Sequence, residues 1–179
     1  MSRKHLLVAG KVILVLAFAV LLQLLLISRI SVLGVTADLF LILTVIVAVT
    51  RGSLEGALFG FFAGLVADIA YYEPLGVRAL IYVLTGYFVG MFVARFGTAN
   101  PWSVALLAGV ASFLAQLAFG LFQFMMGPRA ALLTMIGTQM LPEAVLDGLI
   151  AAPLYVFLVR VRLLPAPQPE PAGHAGGEQ

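Results

Sequence analysis

Residues 51–90 read "RGSLEGALFGFFAGLVADIAYYEPLGVRALIYVLTGYFVG". Gly52, Gly56, Gly60 and Gly64 recur at four-residue spacing, and Asp68 continues the same series. Residues four apart on an α-helix share a face, so these glycines predict a shallow groove ending in a carboxylate. A second helix backbone can approach such a groove closely, which in lipid is a main source of helix affinity. The first reading is packing between spans of this chain; the alternative is docking of a helix from another protein. Gly86 and Gly90 repeat the spacing once in the next apolar run. A phosphate cradle fits poorly, because no Lys-Ser or Lys-Thr follows and the glycines lie inside a helical run rather than in a strand-to-helix loop.

The surrounding chain sets the solvent. Of 179 residues, 63% are hydrophobic and 10% charged, with a mean hydropathy of +1.12. That balance belongs to a bilayer protein. Runs such as "VILVLAFAVLLQLLLI" do not alternate apolar and polar residues as barrel strands do, so the spans are helices. We therefore expect an all-α, polytopic membrane helix bundle. Its six spans are Leu6 to Ile27, Leu39 to Val49, Leu54 to Tyr71, Val77 to Val93, Val104 to Met126, and Pro142 to Val159. The second is short and reaches spanning length by borrowing "LGVTAD" on its outer side. Arg129 to Leu141 is too polar and short for another span; it reads as an interfacial helix or as an extension of the sixth. Pro142 starts or kinks that last helix.

Orientation follows from the basic residues in short loops. A cytoplasmic N-terminus places Arg3, Lys4, Lys11, Arg51, Arg95, Arg160 and Arg162 inside and Arg29, Arg78 and Arg129 outside, favouring both termini in the cytoplasm. The first run resembles a signal peptide but stays apolar to Ile27, so it reads as a retained anchor. Residues 1–162 form the transmembrane domain. Residues 163–179, "LLPAPQPEPAGHAGGEQ", are Pro- and Gly-rich and read as a disordered cytoplasmic tail.

Acids inside the apolar runs need partners, since a charge on the lipid side costs roughly 2.5–3.5 kcal/mol on insertion scales. Asp68 lies near the outer end of its span, with Arg78 as its partner across "YYEPLG" and Glu73 competing for it. Pro74 and Gly76 fit a tight turn there. Asp38 precedes an apolar run and reads as a helix cap. Glu55 stands four residues after Arg51, an ion-pair spacing. Glu143 and Asp147 share a helix face, with structural contacts to Gln116, Gln123 or Gln139; Asp147, one turn into the span, is the acid whose proton affinity is most open to a shift.

Several chemistries are excluded or left without residues. There is no cysteine, hence no disulfide, thiolate metal site or cysteine nucleophile. His5 and His174 are too far apart for a metal pair by spacing. No serine has a convincing catalytic base nearby, and paired carboxylates alone in a membrane mark packing or transport more often than hydrolysis. The ten basic residues are scattered at helix ends, so no nucleic-acid face is expected. Trp102, after "ANP", reads as an interfacial anchor. Neither an enzyme nor a cofactor is expected.

With those residues read, the region "LFLILTVIVAVTRGSLEGALFGFFAGLVADIAYYEPLGVRALIYVLTGYFVG" resembles the centre of the MreD family of rod shape-determining membrane proteins. The likeness rests on Asp38 opening a short apolar helix, on the Gly-rich helix from Gly56 to Asp68, and on the Pro-Leu-Gly turn and Gly-rich helix from Pro74 to Gly90. The final "LPEAVLDGLIAAPLYVFLVRV" is similar to the family's last span, so the resemblance covers most of residues 36–160. It implies a non-catalytic scaffold in the bacterial inner membrane. Its partners are then MreC and, within the elongation complex, MreB, RodA and a class B penicillin-binding protein. It also implies a fold similar to the substrate-binding subunits of energy-coupling-factor vitamin transporters, which keeps a transporter subunit as the alternative function.

Overall fold

A computed structural model describes residues 36–71, 74–97, 100–126, 136–161 and 163–164. Among these the chain is helical throughout, without strands: α1 (Leu39–Arg51), α2 (Ser53–Ala70), α3 (Val77–Phe96), α4 (Pro101–Met126) and α5 (Leu141–Arg160), the last entered through a π-helical turn, Ile136–Met140. Ser53–Ala70, Val77–Phe96, the α4 helix and Ile136–Arg160 are each long and apolar enough to cross a membrane. The expected first span, Leu6 to Ile27, lies outside the described residues, as do Glu73, residues 129–135 and the tail from residue 165. Ile136–Met140 runs directly into α5, so this part of the Arg129 to Leu141 segment extends the last span. Pro142 falls in the first turn of α5, directly after the π-helical turn.

The short second run does not lengthen as expected. Residues 36–38 are non-helical, and α1 begins at Leu39 because the Asp38 carboxylate accepts the Leu41 N–H at 3.2 Å. A cap there ends the helix on its N-terminal side. At 1.5 Å per residue, α1 is about 20 Å long, short of the roughly 30 Å hydrocarbon layer. Every residue from Leu39 to Val49 is buried. A helix apolar on all sides belongs at the centre of a bundle, and α1 takes that place.

Gly52 alone joins α1 to α2. Its φ of +96° ends one helix and turns the chain into the next, a conformation that suits glycine because it lacks a Cβ. This corrects the expectation that Gly52 opens the helical ridge: it shares the spacing but stands between helices, and no atom lies within 4 Å of where its Cβ would be. Arg51 and Glu55 still meet, at 2.9 Å, across this corner rather than along one helix. Glu55 is half exposed, so the pair contributes at most about 1 kcal/mol.

The rest of the ridge faces inward. Helices α2 and α3 run antiparallel with backbones in contact: Gly90 meets Ser53, Gly86 meets Gly56, the Tyr82 carbonyl meets Gly60, and Ala79 meets Gly64. On the same face, Gly56 touches Ala48 and Gly60 touches Thr44 of α1. Any Cβ at Gly56, Gly60 or Gly64 would collide with these neighbours. Lipid tails are as apolar as leucine, so dispersion at this close approach, rather than escape from water, holds α1, α2 and α3 together. A second close crossing joins α4 to α5, where Gly148 faces the Ala105 carbonyl and Gly109 faces the Ala144 carbonyl. The α1–α3 group and the α4–α5 pair pack more extensively within themselves than against each other.

Candidate functional site

The antiparallel order brings the start of α1, the end of α2, the start of α3, the second half of α4 and the start of α5 to one end of the bundle. Most of the buried polar side chains lie there. Asp38, Asp68, Ser112 and Asp147 are all buried, with Asp147 and Ser112 fully so. Buried carboxylates persist in an apolar protein only when bonded, and each of these three is.

Asp68 does not rely on the Arg78 guanidinium. Its two oxygens accept the main-chain N–H of Gly76 at 2.7 Å and of Arg78 at 3.1 Å, so it caps the start of α3. The i to i+8 reach is possible because Gly76, at φ +100°, folds the turn back onto α2. Pro74 lies in this turn, its carbonyl facing the Val77 N–H at 3.5 Å. The expected Asp68–Arg78 charge pair is thus replaced by a helix cap. The Arg78 side chain reaches Asp38 at 3.4 Å instead.

Arg78 is held on two aromatic faces, 4.7 Å from the Tyr71 ring centre and 4.6 Å from that of Phe119, so it ties α2 to α4 as well. Its N–H also points at the Tyr82 hydroxyl, 3.5 Å away. Tyr82 in turn donates to the Asp38 carboxylate. Asp38 therefore does more than cap α1: one oxygen takes the Leu41 N–H, and the other takes the Tyr82 hydroxyl and the Arg78 guanidinium.

The same residue extends to the far side of the bundle. The Asp38 N–H donates to one oxygen of Asp147 at 2.9 Å, and the Ser112 hydroxyl donates to the other at 2.5 Å. Of the glutamines expected to serve Glu143 and Asp147, Gln116 faces the Glu143 side chain and none serves Asp147; Gln116, Gln123 and Gln139, with Glu143, line a cavity of about 190 Å³ whose other wall carries Asp38, Arg78 and Tyr82. Among the described residues, no group of three or more His, Cys, Asp or Glu has a metal-holding arrangement. His5 and His174 lie outside the described residues. Ser112 is bonded to a carboxylate without an intervening base, an arrangement that orients a hydroxyl but does not make it a nucleophile.

Sequence reading missed Tyr82, Ser112 and the Gly109–Gly148 crossing. A signal for the last two was present: Ala105, Gly109 and Ser112 on α4, and Ala144, Gly148 and Ala151 on α5, put small residues at three- and four-residue spacing. The local mark at Tyr82 is Arg78, four residues earlier on the same face; its partner Asp38 is 44 positions away.

Apolar helices of spanning length, closed by backbone-to-backbone glycine contacts and by an internal hydrogen-bonded acid cluster, define a multi-pass helical membrane protein. A family description, rod shape-determining protein MreD, matches residues 4–162. The chain belongs to the MreD family. No curated protein and no solved structure matches it at a significant level.

Proposed function

We propose that the chain is a non-catalytic scaffold of the bacterial wall-elongation complex in the inner membrane. It binds MreC and, within that assembly, links MreB to RodA and a class B penicillin-binding protein. The observation that carries this reading is membership of a rod-shape family along nearly the whole chain. The site geometry agrees with it: Asp38, Asp68 and Asp147 each bond a neighbouring element and tie the bundle together.

Both termini are cytoplasmic in this reading, around six spans related in fold to the energy-coupling-factor subunits. Gly56, Gly60 and Gly64 serve internal packing, and Asp68, Pro74, Gly76 and Arg78 fix one end of the bundle. MreC is then met by outward surfaces. The transporter reading is less well supported, because the family match along residues 4–162 is to a rod shape-determining protein. Depleting the chain from a rod-shaped bacterium that encodes it is expected to round the cells and delocalise new wall. Unchanged shape and wall insertion after depletion would sink the scaffold reading.

A further inference from the structure

The end of the bundle opposite the acid cluster holds a step. Gly148 of α5 faces the Ala105 carbonyl of α4 and the two helices run antiparallel, so α4 begins, at Pro101, level with about Ala152. Helix α5 continues to Arg160, about two turns or roughly 12 Å further. Beyond the step, Pro153, Val156, Phe157 and Arg160 follow at helical spacing and share one face of α5. With Pro101 and Trp102 as side wall they line an open groove of about 420 Å³. Phe157 is 50% exposed and Trp102 77%.

An apolar face in a bilayer is covered by acyl chains and is no site by itself. The rim of this groove differs from such a face. Arg160 is its one charged lining residue, and no acid lines it. Among the described residues the only acid at this end is Glu55, which Arg51 takes at 2.9 Å, and among them Arg160 forms no ion pair. The Trp102 main-chain N–H donates to the Asn100 side chain at 3.2 Å, which fixes the ring at the start of α4 and makes its indole N–H a second donor at the groove. The occupant therefore needs an apolar body for the floor and an anionic head with acceptor oxygens. A guanidinium matches phosphate oxygens in a two-pronged bond, and anionic lipid heads are drawn to basic residues at the membrane surface. A phosphodiester carrying acyl chains meets both needs in one molecule.

We propose that the ledge of α5 beyond the start of α4 binds an anionic phospholipid, with its phosphate on Arg160, its ester carbonyls at the Trp102 indole N–H, and its chains entering the groove past Val156 and Pro153. The lipid fills the step and fixes the depth of the end of α5 in the membrane. Selection at this ledge does not depend on which proteins the chain assembles with.

Trp102 is the single tryptophan of the chain, so its fluorescence reports on the groove directly. The full chain is reconstituted into vesicles of phosphatidylcholine with a minority of phosphatidylglycerol, and bromine is placed on the acyl chains of one lipid or of the other. Selective binding predicts that brominated phosphatidylglycerol quenches Trp102 several times more than its share of the bilayer. Arg160→Gln is expected to reduce that excess about fivefold, the effect of one basic residue near the surface. Arg95→Gln, which removes a cation at the same end but outside the groove, is expected to keep it. Quenching in proportion to lipid composition, an excess unchanged in Arg160→Gln, or an excess lost equally in both variants overturns the proposal.

Discussion

The main-chain N–H of Asp38 donates to the Asp147 carboxylate at 2.9 Å, joining the residue before α1 to the second turn of α5 across 109 positions. Asp147 also takes the Ser112 hydroxyl of α4, and Asp38 takes Tyr82 and Arg78 of α3. One end of the bundle is therefore closed by hydrogen bonds to buried carboxyl groups. The packing of α2 on α3 depends on backbone proximity instead. The two devices fail in different ways.

Removing the acceptor at Asp147 leaves the Asp38 N–H buried without a partner. Asp147→Leu is expected to lower stability by about 1–3 kcal/mol, the cost of an orphaned buried donor, and Asp147→Asn by less because an amide oxygen remains. Unfolding of the purified variants in detergent gives the order; equal midpoints for wild type and Asp147→Leu would refute the bond's contribution.

The glycine contacts predict intolerance to any side chain. Gly60→Ala drives a methyl into the Tyr82 carbonyl, and overpacking of this kind costs about 1–3 kcal/mol. Gly60→Leu is expected to insert but not to reach the folded bundle. Gly137→Ala, with nothing within 4 Å of the added carbon, is the tolerated control. Size-exclusion profiles of the three variants test this, and a monodisperse Gly60→Leu peak would count against internal packing.

Gly52 is sensitive for another reason. Its surroundings are open but its φ of +96° and ψ of −178° lie where only glycine sits without strain, so Gly52→Ala is expected to cost about 1–3 kcal/mol through the backbone alone. Asn tolerates the left-handed helical region but not this one, so Gly52→Asn should lose about as much as Gly52→Ala. A clash mechanism would instead make the larger Asn clearly the worse of the two, and thermal melts of the two variants decide.

Arg78 combines a charge contact with two ring faces. Lysine keeps the charge but not the planar stacking group, so Arg78→Lys is expected to lose about 1–2 kcal/mol despite conserved charge. Stability equal to wild type would show that charge alone matters at this position.

Local signals were legible and long-range ones were not. The Asp38 cap depends on a donor three residues away, and the run of apolar residues after it reads directly as helix. Spacing alone placed Gly56, Gly60 and Gly64 on one face, yet the same spacing wrongly enrolled Gly52, because periodicity does not reveal where a helix breaks. The Arg78 guanidinium was assigned to Asp68 by proximity in sequence; folding put Asp38 within reach and gave Asp68 two backbone donors instead. Asp147 was recognisable as an unusual buried acid, but its partners Ser112 and Asp38 are set by the antiparallel stacking of separate helices.

The most direct measurement of the scaffold account is capture of the tagged chain from bacterial membranes in mild detergent, with bound proteins identified by mass spectrometry. The account predicts recovery of MreC together with wall-synthesis proteins. Recovery of a transporter coupling subunit and its ATPases in place of MreC would contradict it.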